Sequence, residues 1–351
     1  MTPEPCRTTD FEYELPTELI AQEPPPDRGG SRLLIVNRSA PGARREQALE
    51  DAHFEDLARL IPAGDLLVLN TTRVRHARLL GTCPSGAPAE LLLIHPAGAD
   101  TWVAMGKPGS ALRPGKQIAL GTGASVETLE VLPDGNRIVR FIGISPEAAM
   151  QRYGQLPLPP YISRAANAVD EVRYQTVYAA AEGSVAAPTA GLHFTPALLD
   201  RLSSAGVLIE GLDLQVGPGT FKPVEVDDPR QHEMHPEHYE ISPRLAQGLA
   251  QVRAAGGRVW AVGTTVVRAL ESASLPDGTV RGSSAETSLM IMPGYNFRVV
   301  DRLITNFHLP RSTLLMLVCA FAGRELILHA YRHAVEARYR FYSYGDAMVI
   351  I

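Results

Sequence analysis

Twice in this chain a hydroxyl residue followed by proline opens an amphipathic run that closes on glycine and passes into an apolar strand. The first such unit is TPALLDRLSSAGVLIEGLDLQV, from Thr195, and the second is SPRLAQGLAQVRAAGGRVWAVG, from Ser242. Thr or Ser at an N-cap accepts the free N–H groups of the first turn, and proline at the first helical position has no N–H to satisfy. Glycine beyond the last turn permits a left-handed stop. After RVWAVG the run TTVVRALESA predicts another helix and SLMIM another strand. STLLMLVCAFAG, capped by Ser312 and stopped by Gly323, predicts a nonpolar buried helix, and RELILHAYRHAVEARY continues helical. Alternation of this kind implies a largely parallel sheet covered on both faces.

Residues 66–150 read differently. LLVLN, RVRHARLLG, AELLLIHP, TWVAMG, KQIAL, VETLEVL and NRIVRFIG are short strand-like runs separated by turn chemistry, with Asp134-Gly135 a hairpin signal. They predict a small all-β barrel or sandwich. The N-terminal part holds a partly helical PTELIAQ and a strand, SRLLIVN. The expected architecture is an α/β catalytic domain of residues 1–65 and 151–351, interrupted by an inserted all-β barrel domain at 66–150.

Composition excludes several classes. Cys6, Cys83 and Cys319 are the only cysteines and form no CxxC pair, which argues against a disulfide framework and a structural zinc site. A formal net charge of −5 argues against generic nucleic-acid binding, although nearly all of the positive charge is arginine, with lysine only at 107, 116 and 222. No run of about 18 apolar residues suggests a membrane span. The acidic, proline-rich start MTPEPCRTTDFEYELP lacks the order of a signal peptide, so a cytoplasmic protein is expected.

Ligands of parallel α/β sheets collect where strands end and helices begin. Four such junctions carry small, polar or glycine-rich peptides: APTAGLHFT, QVGPGTFKPV, VGTTVVR and TNFHLPRST. In SVAAPTAGLHFT the small side chains suit close approach of a planar group to the backbone. His193 there precedes a helix N-terminus, whose dipole favours neutral imidazole, so it reads either as a general base or as a locally packed histidine. His308 has the same two readings. Gly217, Gly219 and Thr220 either bind phosphate or carboxylate through backbone N–H groups or form a plain turn. Thr264 and Thr265 cap a helix or meet a ligand, and Arg268, one turn on, faces the same site or solvent.

His232, His235 and His238 in QHEMHPEHYE have a metal-like look, but their spacing across a proline is no helical HExxH, and no thiols support it. The segment also reads as a loop that closes over substrate, with Glu233 and Glu237 as carboxylates. The tail Tyr339–Asp346, YRFYSYGD, interleaves aromatics with Arg340, which suits either base stacking beside phosphate contacts or a packed edge strand.

Longer blocks carry a resemblance. TDFEYELPTELIAQEPPPDRGGSRLLIV, LLVLNTTRVRHARL, LPLPPYI with RYQTVYA, GSVAAPTAGLHFT, VGPGTFKPV with HEMHPE, VGTTVVRALE, VVDRLITNFHLPRSTLLMLVCAFAG and YRFYSYGDAM resemble the S-adenosylmethionine:tRNA ribosyltransferase-isomerase family of queuosine biosynthesis, in order and over nearly the whole chain. Two positions depart from that family's pattern: Gln215 stands where His is common, and Ser288 where an acidic residue is usual.

The resemblance implies an α/β domain with a β-barrel domain. It also implies transfer and isomerisation of the ribosyl part of S-adenosylmethionine onto 7-aminomethyl-7-deazaguanine at the tRNA wobble position, which yields epoxyqueuosine, adenine and methionine. S-adenosylmethionine is consumed as donor, so no separate cofactor, metal, membrane or obligate protein partner is expected. Such chemistry needs a base near C5′, whose hydrogens the sulfonium acidifies, and an acid for departing adenine. His193 is then the candidate base and His308 the second catalytic candidate. Thr189, Ala190 and Gly191 would lie against the adenosyl group. Gly217, Gly219, Thr220, His235, Glu237 and Asn306 would line the substrate site. Gly263, Thr264 and Thr265 would bind ribose or the methionine carboxylate, with Arg268 behind them among the substrate-binding residues. Arg340 and Tyr344 would face tRNA, and Asp346 the sulfonium or an amine. Rival readings are a metal-dependent hydrolase using His232, His235 and His238, and a non-catalytic tRNA-binding protein.

Overall fold

A computed structural model describes residues 6–38, 48–221 and 224–351; Lys222 and Pro223 of the glycine-rich junction lie outside the described residues. Nine strands form one mixed sheet in the order Ser283–Thr287, Glu237–Ile241, Leu208–Leu214, Leu66–Asn70, Val259–Val262, Arg302–Asn306, Ala347–Ile350, Arg32–Val36, Leu49–His53. The four central strands, from Leu208–Leu214 to Arg302–Asn306, are parallel neighbours. Both margins are antiparallel, and so is the Ala347–Ile350 strand against Arg302–Asn306. Ala347–Ile350 and Arg32–Val36 are parallel neighbours as well, so the sheet is evenly mixed rather than largely parallel as expected from the alternation. Leu208–Leu214 passes to Glu237–Ile241 without an α-helical crossover, and such a connection gives antiparallel pairing.

Side chains alternate across this sheet into two cores. Leu66, Val68, Val259 and Ala261 enter one, beneath the helices Pro243–Ala254, Thr264–Ala273, Thr313–Ala322 and Arg324–Glu336. Leu67, Leu69, Trp260 and Val262 enter the other, with Phe54, Phe194, Leu198 and Leu202. Asp65, buried at the start of its strand, accepts from Trp260 Nε1 at 2.7 Å and Arg258 N at 2.9 Å, so its carboxylate is satisfied. The caps expected from sequence form: Thr195, Ser242 and Ser312 side chains accept from the third residue onward at 3.1–3.2 Å.

A second sheet has seven antiparallel strands in the order Gly154–Gln155, Arg78–Thr82, Pro88–Pro96, Thr101–Lys107, Arg137–Ile142, Ala124–Val131, Gln117–Gly121, and Thr82 also pairs with Ala119. Two expectations need correction. Leu66–Asn70 belongs to the large sheet, not to the 66–150 unit. All five of its residues are buried, the mark of a strand covered on both faces rather than on one. SLMIM forms no strand either; Ser283–Thr287 precedes it, and just beyond that strand the Leu289 carbonyl accepts from Arg268 instead of from a neighbouring strand. PTELIAQ forms only the short 3-10 turn Thr17–Leu19. Among the described residues no single helix is long and apolar enough to cross a membrane.

Candidate functional site

The four junctions meet. One cavity is lined by Ala187–Ala190, by Val216 and Thr220, by Gly263–Thr265, and by Thr305–Leu309 with Ser312, and the tyrosines Tyr161 and Tyr342 complete its wall. Gly263 holds φ +91, a value that favours glycine, and this turns the chain directly into the Thr264–Ala273 helix. A Cβ there would sit 3.7 Å from Ala190 Cβ, so the first and third junctions face each other across the cavity. Among the described residues no Asp, Glu, Lys or Arg lines it. Three of its buried oxygens have no hydrogen-bond partner among the described residues: Thr265 Oγ1, Asn306 Oδ1 and Tyr342 Oη. Buried polar atoms are normally paired, so three orphans around one space mark a place for a ligand's polar groups.

Gly191 does not face this cavity. A Cβ on it would lie 2.1 Å from Tyr178 Oη, so the glycine is there to let Tyr178 approach; the ligand wall expected at Thr189–Gly191 ends at Ala190. His193 looks into a second, smaller cavity with Ser31, Leu192, Tyr344 and Gly345, and Ser343 lines both. His193 Nδ1 lies 2.8 Å from Ser31 Oγ. Burial pushes the imidazole down to about 4, and the nearby Asn306 side chain opposes that shift. No regular hydrogen bond joins them, because His193 Nε2 and Asn306 Oδ1 are both without partners. His308 does line the first cavity, with Nε2 2.7 Å from Thr305 Oγ1, and burial pushes it down to about 3. Both imidazoles are neutral at pH 7, so His308 holds no proton to give as an imidazolium.

The glycine-rich junction already holds an anion. Glu237 Oε1 accepts from Gly217 N at 3.0 Å and Thr220 Oγ1 at 3.2 Å, while its other oxygen pairs with Arg268. Arg268 also donates to the Leu289 and Thr287 carbonyls, and both side chains of the pair are 5% exposed. Arg268 is thus spent on Glu237 and stands apart from the carboxylate site expected at Gly263–Thr265. His235 packs on Gly219, where a Cβ would meet its ring at 2.6 Å, and shares a small cavity with His232. His238 lies in a strand with Nε2 2.9 Å from Ser284 Oγ. Among the described residues no group of three or more His, Cys, Asp or Glu is placed to hold a metal.

The tail is a built turn. Asp346, 5% exposed, accepts from Arg32 N at 2.9 Å and Arg340 N at 2.8 Å, and its own N–H returns to Arg340 O. It closes the turn, and both of its carboxylate oxygens are engaged by backbone N–H groups rather than open to a sulfonium or amine. Tyr344 donates to Asp170 Oδ1 at 2.7 Å and is 2% exposed, so it is no exposed stacking platform. Arg340 donates to the Glu23 carbonyl, and burial lowers its basicity. What the turn presents is Tyr342, in the left-handed region at φ 71, held by Asn306 Nδ2 and Gly345 N donating to its carbonyl. A bulky side chain rarely takes that conformation, and such strain persists where the surroundings enforce it. Its ring lies 4.5 Å from that of Tyr161, tilted by 34°. Tyr161 and Tyr342 lie in the LPLPPYI and YRFYSYGD stretches, but neither receives an individual role from the sequence.

Fold and cavity together define a mixed α/β protein whose strand ends and helix starts enclose an uncharged polar pocket, a place where such folds bind small ligands. The family model described as "Queuosine biosynthesis protein" matches residues 8–350, and the chain belongs to that family. It is 51% identical, over 98% of this chain and 100% of the relative, to a Symbiobacterium thermophilum protein named S-adenosylmethionine:tRNA ribosyltransferase-isomerase. A protein of the same name from Cupriavidus metallidurans is 51% identical over 97% of each chain. The crystal structure of an S-adenosylmethionine tRNA ribosyltransferase from Thermotoga maritima superposes with a TM-score of 0.56 at 36% identity, covering 97% of this chain and 100% of that one.

Proposed function

We propose that this protein transfers and isomerises the ribosyl moiety of S-adenosylmethionine onto 7-aminomethyl-7-deazaguanine at the wobble position of tRNA, releasing adenine and methionine and leaving epoxyqueuosine. The observation that carries the reading is the convergence of all four junctions on one uncharged cavity, in a chain about half identical end to end to enzymes named for that reaction. The donor is consumed, and no metal or other cofactor enters the reading. A reaction between S-adenosylmethionine and tRNA belongs in the cytoplasm. The strands of 78–142, whose first and last members also meet at Thr82 and Ala119, act here as an inserted barrel within the α/β chain.

The ligand's orientation follows from charge. The N-terminus of the Thr264–Ala273 helix, with Thr264 and Thr265, suits the methionine carboxylate. The sulfonium needs electron-rich partners, and the paired rings of Tyr161 and Tyr342 supply them. Adenine and ribose then fall along Ala187–Ala190, within reach of the orphaned Asn306 Oδ1 and Tyr342 Oη. The cavity as it stands holds ≈ 60 Å³, well under the ~300 Å³ of a typical small-ligand site. The donor therefore enters by parting its lining. His193, neutral and with Nε2 unpartnered, remains the candidate base, oriented by Ser31 from its other nitrogen.

The test is incubation with S-adenosylmethionine and tRNA carrying the aminomethyl-deazaguanine base, followed by mass spectrometry of nucleosides and adenine. Epoxyqueuosine and adenine should appear together, and folded protein that binds both substrates yet yields neither would refute the reading. His193→Ala should abolish turnover and keep donor binding; loss of donor binding instead would make His193 a ligand contact.

A further inference from the structure

Beside the donor cavity lies a larger cleft, ≈ 520 Å³, between the antiparallel sheet and the 157–165 segment, within the ~300–1,000 Å³ of ligand clefts. The two spaces share walls. Tyr161 lines the donor cavity and its neighbours Pro160 and Ile162 the cleft; Ala187 lines one and Val185 the other; Thr220 one and Pro218 the other. We propose that this cleft seats the unpaired RNA nucleotide next to the one being modified, with its base on the cleft's apolar floor and its phosphate at Lys107 and Arg78. The proposal rests on the ribosyl-transfer reading for the identity of the RNA.

The floor is built from Leu92, Met105, Leu158 and the prolines of Pro157-Leu-Pro-Pro160. Prolines carry no N–H to desolvate and are rigid, so a base can lie on them at small entropic cost. The rim carries Arg78 and Lys107, which share one carboxylate oxygen of Glu90 at 2.9 and 3.6 Å, so one positive charge is in excess. Arg164 contributes none, since both of its terminal nitrogens are bound to Asp170 at 2.5 and 2.8 Å. Lys107 is one of three lysines in a chain of net charge −5, and its side chain is 76% exposed. An exposed pair of this kind is worth little in stability, so its ammonium is free to turn to a phosphate. An apolar floor with a cationic rim is how proteins hold splayed single-stranded RNA, whose bases leave the stack while the phosphates stay charged. Because the two spaces share walls, a base in the cleft places its neighbour at the donor cavity.

The experiment measures binding of an anticodon stem-loop RNA with an ordinary guanine at the wobble position, across a salt series, to wild type, Lys107→Ala and Lys116→Ala. Lys116 is exposed and does not line the cleft, so it reports general electrostatics. Lys107→Ala should lower the slope of log affinity against log salt by ~0.7, the value for one single-strand phosphate, with Lys116→Ala close to wild type. In the full reaction Lys107→Ala should raise the KM for tRNA several-fold and leave that for S-adenosylmethionine unchanged. An unchanged slope and affinity for Lys107→Ala, or equal effects of the two variants, overturns the proposal. Absence of epoxyqueuosine from the wild type instead counts against the functional reading, and the stem-loop series still decides the cleft.

Discussion

Tyr342→Phe removes one oxygen and should move stability and activity in opposite directions. In the free protein Tyr342 is 5% exposed and its hydroxyl has no partner. Burying an unsatisfied polar group costs about 1–3 kcal/mol, so deleting it relieves part of that cost. The ring contact with Tyr161 and the left-handed backbone are kept, because neither depends on the oxygen. The variant should therefore unfold at a temperature equal to or a degree or two above wild type, as ~2–4 °C accompanies each kcal/mol in a large domain. In the proposed complex the hydroxyl gains its partner, and losing one neutral hydrogen bond of about 0.5–1.5 kcal/mol should lower kcat/KM by about 2- to 13-fold. Burial first, and then neighbouring Tyr161, push this phenol well above its usual range, so it stays a donor across physiological pH and the defect should not vary between pH 6 and 9. Calorimetry without ligand and adenine release under steady state supply the two readings. A ligand-free Tyr342→Phe protein destabilised by a kcal/mol or more, with unaltered kinetics, would show that the hydroxyl is a structural group and refute the reasoning.

Two further outcomes follow from buried charge. Glu237→Gln leaves Arg268 charged and unpaired at 5% exposure, and breaking a buried pair from one side costs about 3–5 kcal/mol; urea unfolding that shows less than 1 kcal/mol would mean the pair is solvated. His193 and His308 titrate near 4 and 3 when folded and near 6.5 when free. Because the folded values are lowered, the unfolded chain takes up protons first as pH falls. Their stabilisation is therefore whole above pH 6.5 and shrinks as pH drops toward 4, by about 2.7 kcal/mol per pH unit once both free rings are protonated. Urea unfolding between pH 7 and 4.5 should show this fall, most of which should vanish when both positions are Asn; a flat profile for wild type would contradict the burial of the rings.

What could be read without coordinates was local. Thr195, Ser242 and Ser312 begin helices because a cap and its acceptors lie within four residues, so the whole interaction is contained in the string. The four junctions were legible for the same reason, and the sheet only had to bring them together. Pairings between distant residues were not legible. Nothing near Arg268 announces that Glu237 will neutralise it, and the GPGT peptide looks like an open anion loop until that carboxylate is seen in it. Gly191 reads as room for a ligand when it is room for Tyr178. Leu66–Asn70 has the length and apolar character of a strand, but which of two sheets it joins depends on what covers its second face.

The proposed reaction fits the electrostatics of the cavity, because it hangs on neutral groups. A sulfonium donor and an amine acceptor would both meet an imidazolium or guanidinium as a repelling neighbour, and a carboxylate would trap either cation in its ground state. This protein keeps Arg268 and Glu237 paired outside the lining, holds both histidines neutral by burial, and lines the cavity with hydroxyl, amide and ring surfaces. Dipoles of that kind stabilise charge wherever it develops without fixing it at one point, and in a water-poor space their effect is magnified. The strained turn at Tyr342 fits the same logic. Asp346 engages two backbone N–H groups at the back of the turn, so that what reaches the cavity is an uncharged ring and its hydroxyl.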